Sequence, residues 1–585
     1  MRFFHVYNED CFKGLEKNGL INKDTGFKIQ HVFSMPEHLK FNEFAAKGSK
    51  LHRMIKEGGI PFYVDRIAGG VTWHNYAFDK ELIREYRELL GDWFLGFQLH
   101  ESASNRRFSE WPAFIKKMGG KGPYDLEEMK KRLSSNHAIM PDGTVLPSVS
   151  QDSLEYYANK TYADTYQEFV EEIREMYSRR MQETDDSIIP CDSYFMATKL
   201  QNEMGMRTFM PEVGCQIPLM RLAVAIARGA ARGSKKTWGV YYECWREIAG
   251  GGYSMPCFNT DSSNEWYLTQ KLHPDDFTSH GKNGGSSRLL QNRIYYHALM
   301  SGADYFSEEW GLNCSYSNLQ DFSLSEYGEV KKSFIKTAET LRGIRAITPF
   351  AIVLPTSYRF VELPFVFDPS DANPPNIYDN WDIGAHRCRY LCGSLSAAEQ
   401  SYFGHVEDVL KLIYGKKEAC IGNESHVLTN SRFGDVFDVI YADASADVLG
   451  QYDYLIDASP DGAFTKANGS CNILESGSLG KLERELQKKI EEAMPCCAEE
   501  LHWLVSTDET GRRFLSVFNN EGNERSLVEG DILHAEADRR VKVTFKEAAA
   551  PSVLRDAFGN TKLEKADDHT YFVTVTAAGF AIIEF

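Results

Sequence analysis

Along the first 345 residues, short apolar runs alternate with segments whose apolar side chains recur every three or four positions. A short apolar run bounded by turn residues reads as a buried strand, and the three-to-four period reads as one face of a helix. The pattern predicts eight strands, at 2–8, 27–34, 61–69, 93–101, 188–195, 207–214, 237–245 and 303–311. Helical patterns follow each strand, near 11–21, 40–57, 79–90, 161–182, 197–205, 218–232, 286–301 and 327–344. Eight strands, each followed by a helix, make a (β/α)8 barrel, whose active sites are built at the C-terminal strand ends. The longest connections follow strands 4 and 7, at 102–160 and 246–285, and both are rich in Gly, Ser, Asn and aromatic residues. Long loops in compact domains are usually functional; decoration or an oligomer contact is the other reading.

From Thr348 the style changes. The apolar run 349–354 reads as a buried parallel strand, a helix follows at 405–414, strands at 437–441 and 452–457, and another helix at 479–493. This predicts a small three-layer α/β domain. From about 500 onward only strands and turns follow, at 503–506, 513–519, 541–545, 571–575 and 581–585, which predicts a β-sandwich. The expected domains are therefore 1–345, 346–498 and 499–585.

The net charge of −18 argues against a nucleic-acid partner, because a phosphate-binding surface needs clustered Lys and Arg. It also disfavours strongly anionic glycans. No run of about 18 apolar residues is present, so a membrane span is not expected. The first ten residues lack the apolar core of a signal peptide, and the twelve cysteines are scattered without framework spacing. Both features suit a reducing cytoplasm. Aromatic residues make up 13% of the chain, which suits a sugar-binding cleft as well as it suits large cores.

The candidate chemistry lies at strand ends. Strand 4 runs Trp93-Phe-Leu-Gly-Phe-Gln-Leu-His100-Glu101, and strand 7 runs Thr237-Trp-Gly-Val-Tyr-Tyr242-Glu243-Cys-Trp245. Each apolar strand delivers a glutamate to its C-terminal end, and strands 4 and 7 lie nearly opposite in an eight-stranded barrel. Glycosidic hydrolysis needs one carboxylic acid to protonate the leaving oxygen and one carboxylate to attack or stabilise the anomeric carbon. Further polar strand ends are Arg66 on strand 3, Asp192 on strand 5, Glu212 on strand 6, and Glu308 with Glu309 on strand 8. Arg66 could hold a catalytic carboxylate ionised, or it could pair with Asp65. Carboxylates accept bidentate bonds from vicinal sugar hydroxyls, so Asp192, Glu212 and Glu308 are sugar-binding candidates. Glu212 is also the first substitute should a catalytic assignment be one strand off. Asn105, beyond Glu101, has a weaker claim.

Glutamates ending strands 4 and 7 resemble the signature of the retaining glycoside hydrolases of clan A. The order of barrel, flavodoxin-like (glutamine-amidotransferase-like) α/β domain and β-sandwich is similar to family-42 β-galactosidases. His100 stands where the clan usually has Asn, and that family's cysteine cluster after strand 4 is missing, which points to a neighbouring family. The resemblance implies that Glu101 is the acid/base and Glu243 the nucleophile. It implies that Trp310 is the platform under the sugar, although a tryptophan capping the barrel fits equally. Tyr242 and Trp245 would form further walls, and His100 would donate to a 2-hydroxyl or pack behind the site.

Amidotransferase chemistry would need a nucleophilic Cys on a strand–turn–helix elbow. Cys392-Gly393 is the one near match, and no buried strand precedes it. The middle domain is therefore expected to be structural or oligomerising, in a homo-oligomer. The expected function is a retaining exo-glycosidase acting on a neutral, β-linked, β-galactoside-like oligosaccharide, with no cofactor. A metal-dependent barrel enzyme, with the strand-end carboxylates caging a cation, and an inactive sugar-binding barrel are the alternatives.

Overall fold

The computed structural model describes residues 1–7, 9–30, 41–69, 77–100, 137–139, 145–147, 165–192, 197–215, 219–247, 253–257, 281–309, 311–358, 395–415, 424–469, 472–526 and 528–585. All eight expected barrel strands are present: β1 (Arg2–Val6), β2 (Thr25–Gln30), β3 (Phe62–Gly69), β4 (Phe94–His100), β5 (Ile188–Asp192), β6 (Thr208–Gly214), β7 (Thr237–Glu243) and β8 (Tyr305–Glu309). They close into a barrel in sequential order, with β1 and β8, β7 and β8, β2 and β3, β3 and β4, and β4 and β5 paired in parallel. Helices α1 (Glu9–Lys17), α2 (Lys50–Gly58), α3 (Lys80–Leu90), α4 (Tyr166–Glu183), α5 (Thr198–Glu203), α6 (Met220–Ser234), α7 (Arg288–Met300) and α8 (Glu326–Ala338) alternate with them. The expected strand 7 runs two residues too far at its C-terminal end, to Trp245 rather than Glu243. Apolar character there continues past the last ladder bond, as in Cys244-Trp245 after β7. Among the described residues no helix is long and apolar enough to cross a membrane.

The chain gathers into two compact units. One comprises Met1–Asp24, Pro211–Tyr358 and Ser401–Phe585; the other comprises Thr25–Met210 and Arg359–Gln400. Within the second unit, neighbouring β2 and β3 are joined by a buried ion pair, Lys28 Nζ to Asp65 at 3.1 Å, with both side chains fully buried. A sequence reading that offered Arg66 as the partner of Asp65 missed Lys28. The side chain of Arg66 lies outside the described residues.

The first unit contains a four-stranded parallel sheet in the order β10 (Phe437–Tyr441), β9 (Phe350–Leu354), β11 (Tyr454–Asp457), β12 (Ile473–Glu475). Helices α9 (Ala397–Tyr414) and α10 (Leu479–Ala493) belong to the same stretch of chain. The C-terminal stretch forms two antiparallel sheets. One orders Arg345–Ala346, His502–Thr507, Arg513–Phe518, Phe580–Glu584 and Ser552–Asp556. The other orders Cys496–Ala498, Arg539–Phe545, Thr570–Val575 and Lys562–Lys565. A separate hairpin pairs Asn523–Ser526 with Gly530–Leu533.

Helix α6 is the seam between barrel and parallel sheet. Its sequence, Met220-Arg-Leu-Ala-Val-Ala-Ile-Ala-Arg-Gly-Ala-Ala-Arg-Gly-Ser234, is small and apolar except for three arginines, and most of its residues are buried. Arg221 Nε meets Asp435 at 2.7 Å, Arg228 Nε meets Asp438 at 2.5 Å, and Arg232 meets Asp438 at 3.0 Å. Gly229 lets the sheet close in, because a Cβ there would collide with the carbonyl oxygen of Val439 on β10. Asp435 also accepts from His297 Nε2 on α7 at 2.8 Å and from His502 Nε2 in the C-terminal sheet at 2.5 Å. Burial alone would raise its pKa, yet Arg221 and the histidines hold it well below the usual carboxylate range.

Removing one partner of a buried ion pair strands the other, so Asp435→Ala should cost about 3–5 kcal/mol of stability, read from its urea unfolding transition. The histidines make a second prediction. Burial pushes His502 and His5 from 6.5 down to about 3, and lowers His297. As pH falls below about 6.5 the unfolded chain takes up protons before the folded one does. That stability is therefore full above this pH and declines toward pH 3, by about 1.4 kcal/mol per pH unit per histidine. The urea midpoint should be higher at pH 7 than at pH 5, and His502→Gln should shrink the difference; equal midpoints would contradict the assignment.

Candidate functional site

Side chains alternate across a strand, so adjacent strand-end glutamates face opposite ways. β7 and β8 run parallel with Glu243 opposite Glu309 and Tyr242 opposite Glu308. The first pair shares one face of the wall and the second pair the other.

Tyr242 and Glu308 belong to the helix side. Glu308 bonds to Lys331 Nζ on α8 at 2.6 Å, accepts from the Tyr327 hydroxyl at 2.5 Å, and accepts from the Tyr295 hydroxyl on α7. Lys331 fills its remaining donors with the Gly311 carbonyl at 2.8 Å and Ser315 Oγ at 2.6 Å. Burial, and then the Glu308 charge, push both tyrosine hydroxyls well up. Tyr242 packs its ring on Tyr295 and Phe306 and bonds through its hydroxyl to Ser286 Oγ at 2.5 Å. Glu308 and Tyr242, both expected above at a sugar subsite, thus fasten the wall to the segments packed behind it.

Glu243 and Glu309 occupy the other face. Glu243 is 1% exposed at the end of β7. Its carboxylate lies against the end of β6, where a Cβ on Gly214 would fall 3.1 Å from Glu243 Oε2. That Cβ would also fall 2.8 Å from the Cβ of Glu243, so glycine at 214 admits Glu243 at this approach. Glu309 accepts from the Trp245 indole Nε1 at 2.6 Å, so this carboxylate fixes the ring of the residue leaving β7. Glu212 is fully buried on β6, two positions before Gly214 and on the same face. Glu212, Glu243, Glu309 and Trp245 are therefore brought to adjoining ends of β6, β7 and β8. Gly214 and the Glu309–Trp245 bond were not anticipated from sequence; Gly after Glu-Val in strand 6 was the available signal.

Behind this wall sit three buried thiols. Cys244 Sγ lies 3.4 Å from Cys314 Sγ, Cys257 also bonds Cys314, and burial raises the pKa of Cys244 and Cys314 well above normal.

In the second unit, His100 ends β4 opposite Cys191 on β5, and Asp192 ends β5; both His100 and Asp192 are buried. Glu101, Asn105 and Trp310 lie outside the described residues.

No protein-family model and no curated protein matches the chain. Among solved structures, α-L-fucosidase isoenzyme 2 from Paenibacillus thiaminolyticus aligns over 95% of this chain and 99% of its own at 9% identity, with a TM-score of 0.39. GH5_18 from Streptomyces cattleya, in complex with GlcNAc, aligns over 81% of this chain and 98% of its own at 10% identity, with a TM-score of 0.28. The Nostoc punctiforme debranching enzyme aligns over 100% and 98% at 10% identity, with a TM-score of 0.21. Scores this low assign neither a family nor an activity to the chain.

Proposed function

We propose that the chain is a retaining glycoside hydrolase of the clan A type, acting by double displacement on a neutral, β-linked, β-galactoside-like substrate. The observation that carries this reading is the Glu243 carboxylate, buried at the C-terminal end of β7 against Gly214, with Glu309 in register on β8. In the first step Glu243 attacks the anomeric carbon while Glu101 gives its proton to the departing oxygen. In the second, Glu101 takes a proton from water, which displaces Glu243. Glu309 holds the Trp245 indole, which supplies an apolar wall for a pyranose face. Glu212 contributes hydrogen-bond acceptors for sugar hydroxyls. The order of the parallel sheet, second–first–third–fourth strand, supports the flavodoxin-like reading of the middle domain.

The two catalytic glutamates should fail differently when removed. Glu243→Ala should be nearly inactive on every nitrophenyl glycoside, and azide should restore turnover as a glycosyl azide of inverted configuration. Glu101→Ala should keep activity on dinitrophenyl glycosides, lose about 10²–10⁴-fold on poor leaving groups, and yield a retained azide product. Exchange of the two patterns would exchange the roles. Near-normal activity of Glu243→Ala would remove it from the mechanism and direct the test to Glu212. Glu308→Gln provides the contrast. It should lose about 3–5 kcal/mol of stability by stranding Lys331, while the folded protein keeps its kcat; a dead but stable Glu308→Gln protein would return Glu308 to the site.

A further inference from the structure

The loop after β7 finds its anchors outside the barrel. Arg525, on the C-terminal hairpin, is 7% exposed. Its Nη2 donates to the Gly284 carbonyl at 3.1 Å and its Nε to the Gly285 carbonyl at 3.4 Å, while Nη1 pairs with Asp531 across the hairpin at 2.8 Å. The Arg525 carbonyl in turn accepts from Arg246 Nη1 at 3.3 Å, on the segment that leaves Glu243. At the hairpin tip, the Val528 carbonyl accepts from Asn283 Nδ2 at 2.8 Å. Beside it, Glu424 accepts from the Ser287 amide at 2.6 Å and from Asn523 Nδ2 at 3.3 Å. The loop so held bonds back to the barrel: the Ser286 amide donates to the Cys244 carbonyl at 3.0 Å, and the Gly285 amide donates to Ser254 Oγ at 2.8 Å.

We propose that this hairpin is a working part of the catalytic face, and that Arg525 is a positioning residue for Glu243. This rests on the glycosidase reading above. Gly284 and Gly285 carry no side chain to pin them, so their place depends on a rigid planar fork that reaches two carbonyls at once. Through Ser286 the fork fixes the Cys244 carbonyl, the first backbone acceptor after Glu243. Displacing a reacting group by about 1 Å costs about 10²-fold in rate. The hairpin thus acts on the chemical step without touching substrate.

The full-length protein with Arg525→Ala, Arg525→Lys or Asp531→Asn tests this, with Arg540→Ala as control. Arg540 pairs with Glu564 on an exposed strand pair of the other sheet at 2.7 Å. In Arg525→Ala, kcat on a nitrophenyl glycoside should fall by about 10²-fold with KM changed less than about threefold. Arg525→Lys should recover only part of that loss, and Asp531→Asn, the milder change should Arg525→Ala not fold, should fall in between. Hydrogen exchange at the Gly285, Ser286 and Ser287 amides should quicken in the same order, with exchange in 237–243 unchanged. Unaltered exchange at those three amides overturns the proposal whatever the activity. Faster exchange with unchanged kcat, or full recovery by lysine, also overturns it. If the native protein hydrolyses no glycoside, the functional reading falls by itself, and the exchange result alone supports or refutes the clamp.

Discussion

Two aspartates, Asp435 just before β10 and Asp438 on it, are buried, and both are ionically bound to one helix, α6. Much of the first unit's geometry follows from that constraint. An unpaired carboxylate in such a place is prohibitively costly, so the parallel sheet has one position on α6 that satisfies both charges. A sheet shifted by one turn of α6 would set Ala225 where Arg221 now meets Asp435 and leave that aspartate unmatched. Apolar burial would hold the two layers together in many registers; these five groups select one. Asp435 extends the same selection further, because it also receives His297 from α7 and His502 from the C-terminal sheet.

The ends of β7 and β8 are organised on a related principle, with the direction of each strand-end carboxylate deciding its partners. Glu308 and Glu309 are neighbours in sequence, yet one is consumed by Lys331 and two tyrosines while the other holds an indole beside Glu243. The fasteners on the outer face tie β8 to α7 and α8, and a single residue step along the strand separates them from the Glu309–Trp245 bond.

Legibility from sequence follows the range of the interactions. The eight barrel strands were readable because each is a local apolar run between turn residues, and Glu243 was readable because it ends such a run. The role of Glu308 was not, since Lys331 and Tyr327 lie on the following helix and nothing local reveals which face a strand-end side chain takes. Lys28 was passed over because a lysine inside a strand normally marks a solvent face, and only Asp65 on the neighbouring strand reverses that. The clasp on α6 left a trace in its three arginines, which read as ordinary helix polarity until Asp435 and Asp438 are placed opposite them. Arg525 was out of reach altogether, because its acceptors are backbone carbonyls of glycines 240 and 241 positions away in the chain.

The α6 clasp also has a consequence in time. Arg228 and Asp438 are separated by 210 positions in the chain. At a synthesis rate of about 5–20 residues per second, about 10–40 s pass between the making of the guanidinium and the making of its counter-ion. During that interval the barrel's outer helices leave the ribosome with an apolar, arginine-studded ridge facing water, its glycine notch unfilled. Until then the three guanidiniums that later fix the register have only water to meet their charge.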